Sequence, residues 1–334
     1  MSSELTLESW HDRSAWWFRC AALGTAISAF ILAGWLPLAF SIVTVFLFAG
    51  PHNWLEARYM MARMPARWGK LRSYFLVGLI GVPVLAGMSA AMPYGMRAWQ
   101  ATSEMWLFGV ATWNTLLVLW IATMVHMRSR QNPRRHWSWV WPISFLLIAL
   151  NWLWPLAWSM GLIYLHPIMA LWFLDREISK RHPTWRNAYR SSLAVVPCML
   201  VALWWKLSGS PDLPEPDLLT MQITNHAGGM IFENISTHCL VATHTFLEML
   251  HYGVWIVAIP LVSGTAAWNL QNVPLSRRSR SWRAAIIFVL ALGLLISLTL
   301  WLGFLLDYPL TRDVYFTVAI LHVLAEVPFL LRLL

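Results

Sequence analysis

The stretch AAIIFVLALGLLISLTLWLGFL at 284–305 has no charged residue in 22 positions. A helix needs about 20 mainly apolar residues to cross the hydrocarbon core of a bilayer, which is roughly 30 Å thick. Apolar runs of similar length recur along the 334 residues, of which 58% are hydrophobic and only 12% charged. Soluble domains carry about 25% charged residues. The sequence therefore predicts an all-α, polytopic helical bundle in a membrane, since the short alternating strands of a transmembrane β-barrel are absent from it.

The apolar runs predict about ten membrane spans, or eight to nine if the two weakest breaks, near Gly34–Pro37 and near 155–160, do not interrupt the helices. The predicted spans are 17–35, 37–56, 73–92, 105–127, 137–154, 159–175, 191–208, 238–263, 284–305 and 313–331.

Basic residues concentrate in alternate loops along the chain. The basic loops are 57–72, 128–136, 175–190 and 264–283, whereas 93–104, 209–237 and 306–312 hold few bases. Because basic loops stay on the cytoplasmic side, this pattern favours ten spans with both termini cytoplasmic. We expect this membrane to be the bacterial cytoplasmic (inner) membrane.

The simplest organisation is one transmembrane domain over 1–334, with a short polar tail at 1–16 and a non-cytoplasmic loop at 209–237. The three cysteines form no CxxC pair and indicate neither a disulfide framework nor a thiolate metal site. The formal net charge of +9 is explained by the basic loops. We therefore expect membrane lipids and lipid-soluble small molecules as partners, and no nucleic acid.

Three stretches share one outline: HNWLE at 52–56, HTFLE at 244–248 and HVLAE at 322–326. Each places a histidine four residues before a glutamate in or beside an apolar run. Residues i and i+4 lie on one helix face. A charged carboxylate in hydrocarbon costs several kcal/mol, so such groups face the bundle interior and have partners. The three pairs therefore indicate buried polar sites, and each pair could bind a metal ion.

The second pair continues into His251, so that His244, Glu248 and His251 form one stripe at i, i+4 and i+7. Its E-x-x-H unit is typical of helical di-iron carboxylate proteins. A further histidine, His166, lies inside the span 159–175. We predict that the metal ligands are His52, His166, His244, His251, His322, Glu248 and Glu326, and that Glu56, Glu248 and Glu326 have catalytic or ligand-orienting roles.

Other ionisable residues have simpler interpretations. His182 and His226 lie in polar segments and are interpreted as surface residues. The run Asp175-Arg176-Glu177 is interpreted as a solvated helix end.

A ligand set of imidazoles and carboxylates without thiolates suits non-haem iron, as one or two ions, with zinc or copper as alternatives. The predicted function is a membrane metalloenzyme, leaning to an iron oxygenase or oxidase. Its substrate would be lipid-soluble: a carotenoid or other isoprenoid, a quinone or an acyl chain. A monooxygenase or desaturase would need a separate electron donor, whereas a dioxygenase would not.

Two other functions remain open at this point. Intramembrane histidine and glutamate chains also serve cation- or proton-coupled transporters. Histidines also bind haem or pigment in subunits of membrane electron-transfer complexes.

The segment LFAGPHNWLEARY at 47–59 contains P-H-x-x-L-E. It resembles the P-H-G-x-L-D signature of the Brp/Blh family of membrane β-carotene-cleaving dioxygenases, with Asn53 in place of the glycine and Glu56 in place of the aspartate. The resemblance implies a membrane-embedded enzyme whose histidines bind iron, with His52 as one ligand. It also implies that later helices supply the other ligands, for which His126, His244 and His251 are the counterparts.

Overall fold

The computed structural model describes residues 2–131, 136–264 and 269–333, with side chains from residue 14 to residue 332 of those ranges. These residues form helices and connecting turns and contain no strand, which confirms the all-α prediction. The α-helices are α1 (Ser2–Trp35), α2 (Pro37–Arg63), α3 (Arg72–Ala98), α4 (Ser103–Gln131), α5 (Val140–Leu153), α6 (Pro155–Arg181), α7 (Arg186–Leu193), α8 (Val195–Leu207), α9 (Leu218–His226), α10 (Thr237–Gly253), α11 (Ile259–Ser263), α12 (Arg280–Leu306) and α13 (Tyr308–Leu333).

Nine segments of the described chain are long and apolar enough to cross a membrane, and α5 is a shorter apolar helix of 14 residues. The predicted polytopic bundle is confirmed. Both weak breaks are present, between Trp35 and Pro37 and between Leu153 and Pro155. A proline lacks the N–H of a helix interior and disfavours the helical conformation of the preceding residue, which explains both breaks. The cytoplasmic location of the termini stays a prediction.

Two segments outside the apolar runs are more regular than the sequence suggests. The polar tail is helical from Ser2 onward as part of α1. The loop 209–237 contains α9, which begins with a capping box formed by Asp217 and Thr220. Positions 132–135 and 265–268, in two of the basic loops, lie outside the described residues.

The chain divides into two compact units. The first comprises Met1–Glu56, Tyr164–Asn272 and Gly293–Leu302, and the second comprises Ala57–Ile163, Val273–Leu292 and Gly303–Leu334. The segments HNWLE and HTFLE belong to the first unit, and HVLAE belongs to the second.

Helix α10 is the most enclosed helix of the first unit. Thirteen of its 17 residues are buried, and it packs against α1, α8 and α9. A helix that is buried on every side is surrounded by protein rather than by lipid. The ionisable residues of α10 are therefore held in the protein interior.

The first unit also fixes helix α2, because a short segment of α12 packs closely along one of its faces. A Cβ added to Gly50 would lie 3.0 Å from the Cα of Ser297, so the two backbones nearly touch. Small residues allow such close approach between membrane helices. The contacts recur every four residues along both helices, and the residue numbers rise along α2 as they fall along α12. The facing pairs are Phe46 with Trp301, Gly50 with Ser297 and Trp54 with Gly293.

The second unit has its own apolar core, formed by α3, α4, α5 and α13. Its buried side chains include Tyr74, Trp113, Met124 and Leu324. Helices α4 and α5 are also joined by a buried amide pair, in which Asn114 Nδ2 donates to Asn151 Oδ1 at 2.8 Å. Interhelical amide bonds of this kind hold membrane helices together where the hydrophobic effect between them is weak.

The end of α6 departs from the sequence interpretation. Glu177 is buried, and its Oε2 accepts a hydrogen bond from Arg181 Nε at 3.1 Å. Arg181 also donates to the Ser263 carbonyl at 3.0 Å, beside the end of α11. The interpretation of this run as a solvated helix end is therefore wrong for Glu177, whose carboxylate is buried, although its partner Arg181 keeps 39% of its side chain exposed.

Replacing Gly50 by alanine tests the close approach of α2 and α12. The added methyl group would contact the Ser297 backbone at 3.0 Å and push the helices apart by a few tenths of an ångström. We expect a loss of about 1 kcal/mol or more, the lower range for overpacking, measured as a lower thermal unfolding midpoint in detergent. The matched control is Gly24→Ala on α1, where nothing lies within 4 Å of the added Cβ. An equal midpoint for both variants would contradict the proposed packing.

Candidate metal centre

The face of α2 that carries Phe48, His52 and Glu56 is a second stripe at four-residue spacing, separate from the stripe that meets α12. His52 and Glu56 are each only 1% exposed. Because α12 fixes the neighbouring face, these two side chains have a defined direction into the first unit. Pro51 precedes His52 inside the helix and removes one backbone N–H there.

The side chain of His251, on α10, lies beside His52 and Glu56 on this face of α2. His52, Glu56 and His251 each offer a ligand atom, and these atoms lie within 4.8 Å of one another. The imidazole centroids of His52 and His251 are 5.3 Å apart. His166 of α6 lies on the other side of His251, with 4.5 Å between ring centroids. The structure thus brings together four residues that the sequence analysis selected, from three different helices.

The hydrogen bond of His52 determines which ring nitrogen can bind a ligand. His52 Nδ1 lies 2.9 Å from the carbonyl oxygen of Phe48, one turn earlier. A carbonyl only accepts, so Nδ1 carries the hydrogen and Nε2 keeps its lone pair. Histidines that bind metals commonly donate their second ring nitrogen to a carbonyl or a carboxylate in this way.

Glu248 occupies a position beside the cluster formed by His52, Glu56 and His251. Its Oε1 accepts a hydrogen bond from the Tyr252 hydroxyl at 2.8 Å. The Tyr252 ring packs against His52 with 4.4 Å between centroids. The Glu248 carboxylate thus holds the aromatic ring that contacts His52, and its predicted catalytic or ligand-orienting role stays a prediction. The sequence analysis missed Tyr252, although its i+4 spacing from Glu248 was visible in the sequence.

The helix changes its geometry directly after these residues. Val254–Ala258 forms a π-helix, and the Ile259 N–H donates to the Val254 carbonyl, five residues back. Single π-helical turns inside α-helices are frequent at functional sites. Pro260 follows in the first turn of α11 and removes one backbone N–H there.

A second group of polar residues lies one to two turns earlier on α10. His244 Nδ1 is 3.9 Å from Glu248 Oε2, and the His244 ring lies 5.0 Å from the His226 ring between centroids. His226 is the last residue of α9 and is partly buried. Its interpretation as a surface residue is therefore correct only in part, because the loop 209–237 folds back and packs α9 against α10.

The remaining predicted residues belong to the second unit. His322 and Glu326 lie one turn apart on α13, and Glu326 is fully buried. Their roles as metal ligands, and the catalytic role of Glu326, stay predictions. His126, the counterpart implied by the family resemblance, accepts a hydrogen bond from the Trp141 indole at 3.3 Å.

No protein-family model matches this chain, and no curated protein and no solved structure matches it either. The resemblance of residues 51–56 to the Brp/Blh signature therefore stays a prediction. The geometry of the first unit is the basis for the function proposed below.

Replacing Tyr252 by phenylalanine tests the arrangement around Glu248. The variant keeps the ring against His52 but removes the hydroxyl donor from a buried carboxylate. Hydrogen bonds to charged groups contribute about 1.5–3 kcal/mol, so we expect a clearly lower thermal unfolding midpoint in detergent. Tyr94→Phe is the control, because Tyr94 is 66% exposed. Equal midpoints for the two variants would show that the Tyr252 hydroxyl does not stabilise Glu248.

Proposed function

We propose that this protein is an integral membrane metalloenzyme that binds non-haem iron and acts on a lipid-soluble substrate. The observation that carries the proposal is the buried cluster of His52, Glu56 and His251, whose ligand atoms lie within 4.8 Å of one another. Three ionisable side chains would not be buried together between apolar helices without a compensating interaction. A metal ion bound by all three side chains would be one such interaction.

The ring geometry of the cluster suits a metal ion. An imidazole nitrogen binds a metal at about 2.0–2.1 Å, which places the centroids of two imidazoles on one ion about 4.5–5.5 Å apart. The distance from His251 is 5.3 Å to His52 and 4.5 Å to His166. Imidazole and carboxylate ligands suit iron, with zinc or copper as the other metals of this ligand class.

When bound, iron in such a set supplies oxidation chemistry with O₂ for an apolar substrate, and the side chains determine where that chemistry occurs. His52 and His251 are 1% and 2% exposed, so the surrounding helices keep bulk water from the cluster. The hydrogen bond to Phe48 holds the His52 ring in one tautomer. Glu248 orients Tyr252 against that ring, and Glu56 places a carboxylate beside both imidazoles.

The surroundings of the cluster support a lipid-soluble substrate. Helices that are apolar enough to cross a membrane supply all three residues, and this setting favours an apolar substrate. A carotenoid or other isoprenoid, a quinone or an acyl chain fits this requirement. The similarity of P-H-x-x-L-E to the carotenoid-cleaving signature favours the isoprenoid class. A dioxygenase reaction would proceed without a separate electron donor.

Metal analysis of the full chain tests the proposal. The protein is purified in detergent with a tag that binds no metal, and its metals are measured by mass spectrometry. We expect about one or two iron atoms per chain, and a loss of at least half of this iron in His52→Ala and His251→Ala, because each variant removes a ligand. His136→Ala, at an exposed position, is the control and should keep the iron of the original chain.

An absorption spectrum of the same sample separates the alternatives, because haem or chlorophyll would give intense visible bands. Thermal unfolding and gel filtration of each variant show whether iron loss reflects unfolding. A folded chain that contains no transition metal, or variants of His52 and His251 that keep all of it, would contradict the proposal.

A further inference from the structure

Two arginines of the second unit come together where helices α4 and α13 end. Arg128 lies in the last turn of α4 and Arg332 in the last turn of α13, and both are partly buried. The two helices pack against each other, and Arg128 Nη2 lies 3.4 Å from the Arg332 carbonyl oxygen. The two guanidinium groups are close enough for their positive charges to repel each other. An anion beside the pair would remove this repulsion.

Uncharged groups hold Arg332 in place. Its Nη1 donates to the carbonyl of Arg63, the last residue of α2, at 2.6 Å, and its guanidinium lies 5.9 Å from the centroid of the Phe75 ring. The Tyr74 hydroxyl donates to the Pro328 carbonyl, one turn before Arg332, and so joins α3 to α13. A carbonyl or an aromatic face attracts a cation, but neither group neutralises its charge.

Arg128 keeps hydrogen-bond donors that no residue of the described chain accepts. An arginine carries five N–H donors in a fixed fork. The Arg332 carbonyl faces Nη2 at 3.4 Å, and the buried Nε has no acceptor. A buried donor of a charged group that stays unsatisfied costs free energy. Contact with an anion that has several acceptor oxygens would offset this cost.

The acids of the second unit lie away from the arginine pair. Three of its four acids stand at or near the starts of α4 and α13, at the opposite ends of these helices: Glu104, Asp307 and Asp313. The fourth, Glu326, is fully buried and lies six residues before Arg332, which is about 9 Å along the helix. Within the part of the chain that the structure describes, neither Arg128 nor Arg332 forms an ion pair.

The membrane spans place the pair at the level expected for lipid headgroups. Both arginines lie at the ends of segments that are apolar and long enough to cross a membrane, Ser103–Gln131 and Tyr308–Arg332. The connection after α4 returns beside it, since the Trp137 N–H donates to Ser129 Oγ at 3.0 Å, and Trp139 is 53% exposed there. Exposed tryptophans concentrate at the membrane–water interface. Lipid phosphates are the anions found at this level.

We propose that Arg128 and Arg332 bind the phosphate of an anionic phospholipid at the common end of α4 and α13. Guanidinium groups bind phosphate through paired N–H donors, and basic pockets between membrane helices bind anionic headgroups in this way. The phosphate accepts from the remaining Arg128 donors and offsets the repulsion between the two charges. The site belongs to the second unit and does not depend on the proposed enzyme, whose metal cluster belongs to the first.

Thermal unfolding of the full chain in detergent with increasing phosphatidylglycerol tests this site, because a ligand of the folded chain raises the unfolding midpoint. The rise over each variant's own lipid-free midpoint gives its apparent lipid affinity. We expect Arg128→Gln and Arg332→Gln each to weaken this affinity by about tenfold, since each removes a charged hydrogen-bond donor. The control is Arg97→Gln, at an exposed position in the last turn of α3, with a change of less than about twofold.

A second variant separates loss of charge from loss of packing. Arg128→Lys keeps the charge and should bind phosphatidylglycerol more tightly than Arg128→Gln. Equal affinity of these two variants would overturn the site, because the charge of Arg128 would then not bind the lipid.

Two comparison ligands identify the source of the phosphate. Phosphatidylcholine, which has no net charge, should raise the midpoint much less than phosphatidylglycerol. An equal rise with both lipids, or an equal response of all variants to phosphatidylglycerol, would overturn the proposal. A rise with inorganic phosphate that both glutamine variants lose would also overturn it, since the pair would then bind a soluble phosphate compound.

Discussion

The cost of placing ionisable groups among apolar helices determines the arrangement of the first unit. His52, Glu56, His244, Glu248 and His251 are all less than 10% exposed in segments that are otherwise apolar. In a medium of low dielectric such groups require partners, so each must lie where another polar group can reach it. The four-residue spacing within α2 and α10 and the contact between these helices meet that requirement together.

Two different faces of α2 serve this arrangement. The face with Gly50 meets α12 at backbone contact distance, which leaves little freedom for the helix to rotate. The neighbouring face carries His52 and Glu56 toward α10. On α10, the carboxylate of Glu248 is fixed by Tyr252, whose ring then packs on His52. Stability and the proposed chemistry thus depend on the same few contacts, and a variant at Gly50 would disturb both.

The sequence was sufficient for features that depend on local composition. Apolar runs of about 20 residues predicted the helices, and the weak joins predicted near Gly34–Pro37 and near 155–160 lie beside the breaks observed before Pro37 and Pro155. The i, i+4 spacing of histidine and glutamate predicted buried pairs, because a helix places both side chains on one face. The selection of His52, His166 and His251 also followed from their positions inside apolar spans.

Features that depend on how distant segments meet did not follow from the sequence. His226 stands in a polar loop, and only the packing of α9 against α10 brings it to His244. Glu177 stands in a charged run typical of a solvated helix end, and only the fold shows that its carboxylate is buried and bonded to Arg181. Tyr252 has no motif of its own, and its role arises from the hydrogen bond to Glu248. The π-helix at Val254–Ala258 has no periodic signal in the sequence.

X-ray absorption at the iron edge of freshly purified protein tests the central claim most directly. Ligation by His52 and His251 predicts a first shell of nitrogen and oxygen atoms only, with the outer-shell pattern of imidazole. That pattern should weaken by about one ring in His52→Ala, since each histidine contributes one imidazole. A first shell that contains sulfur, a tetrapyrrole spectrum, or an imidazole pattern unchanged in His52→Ala would contradict the account.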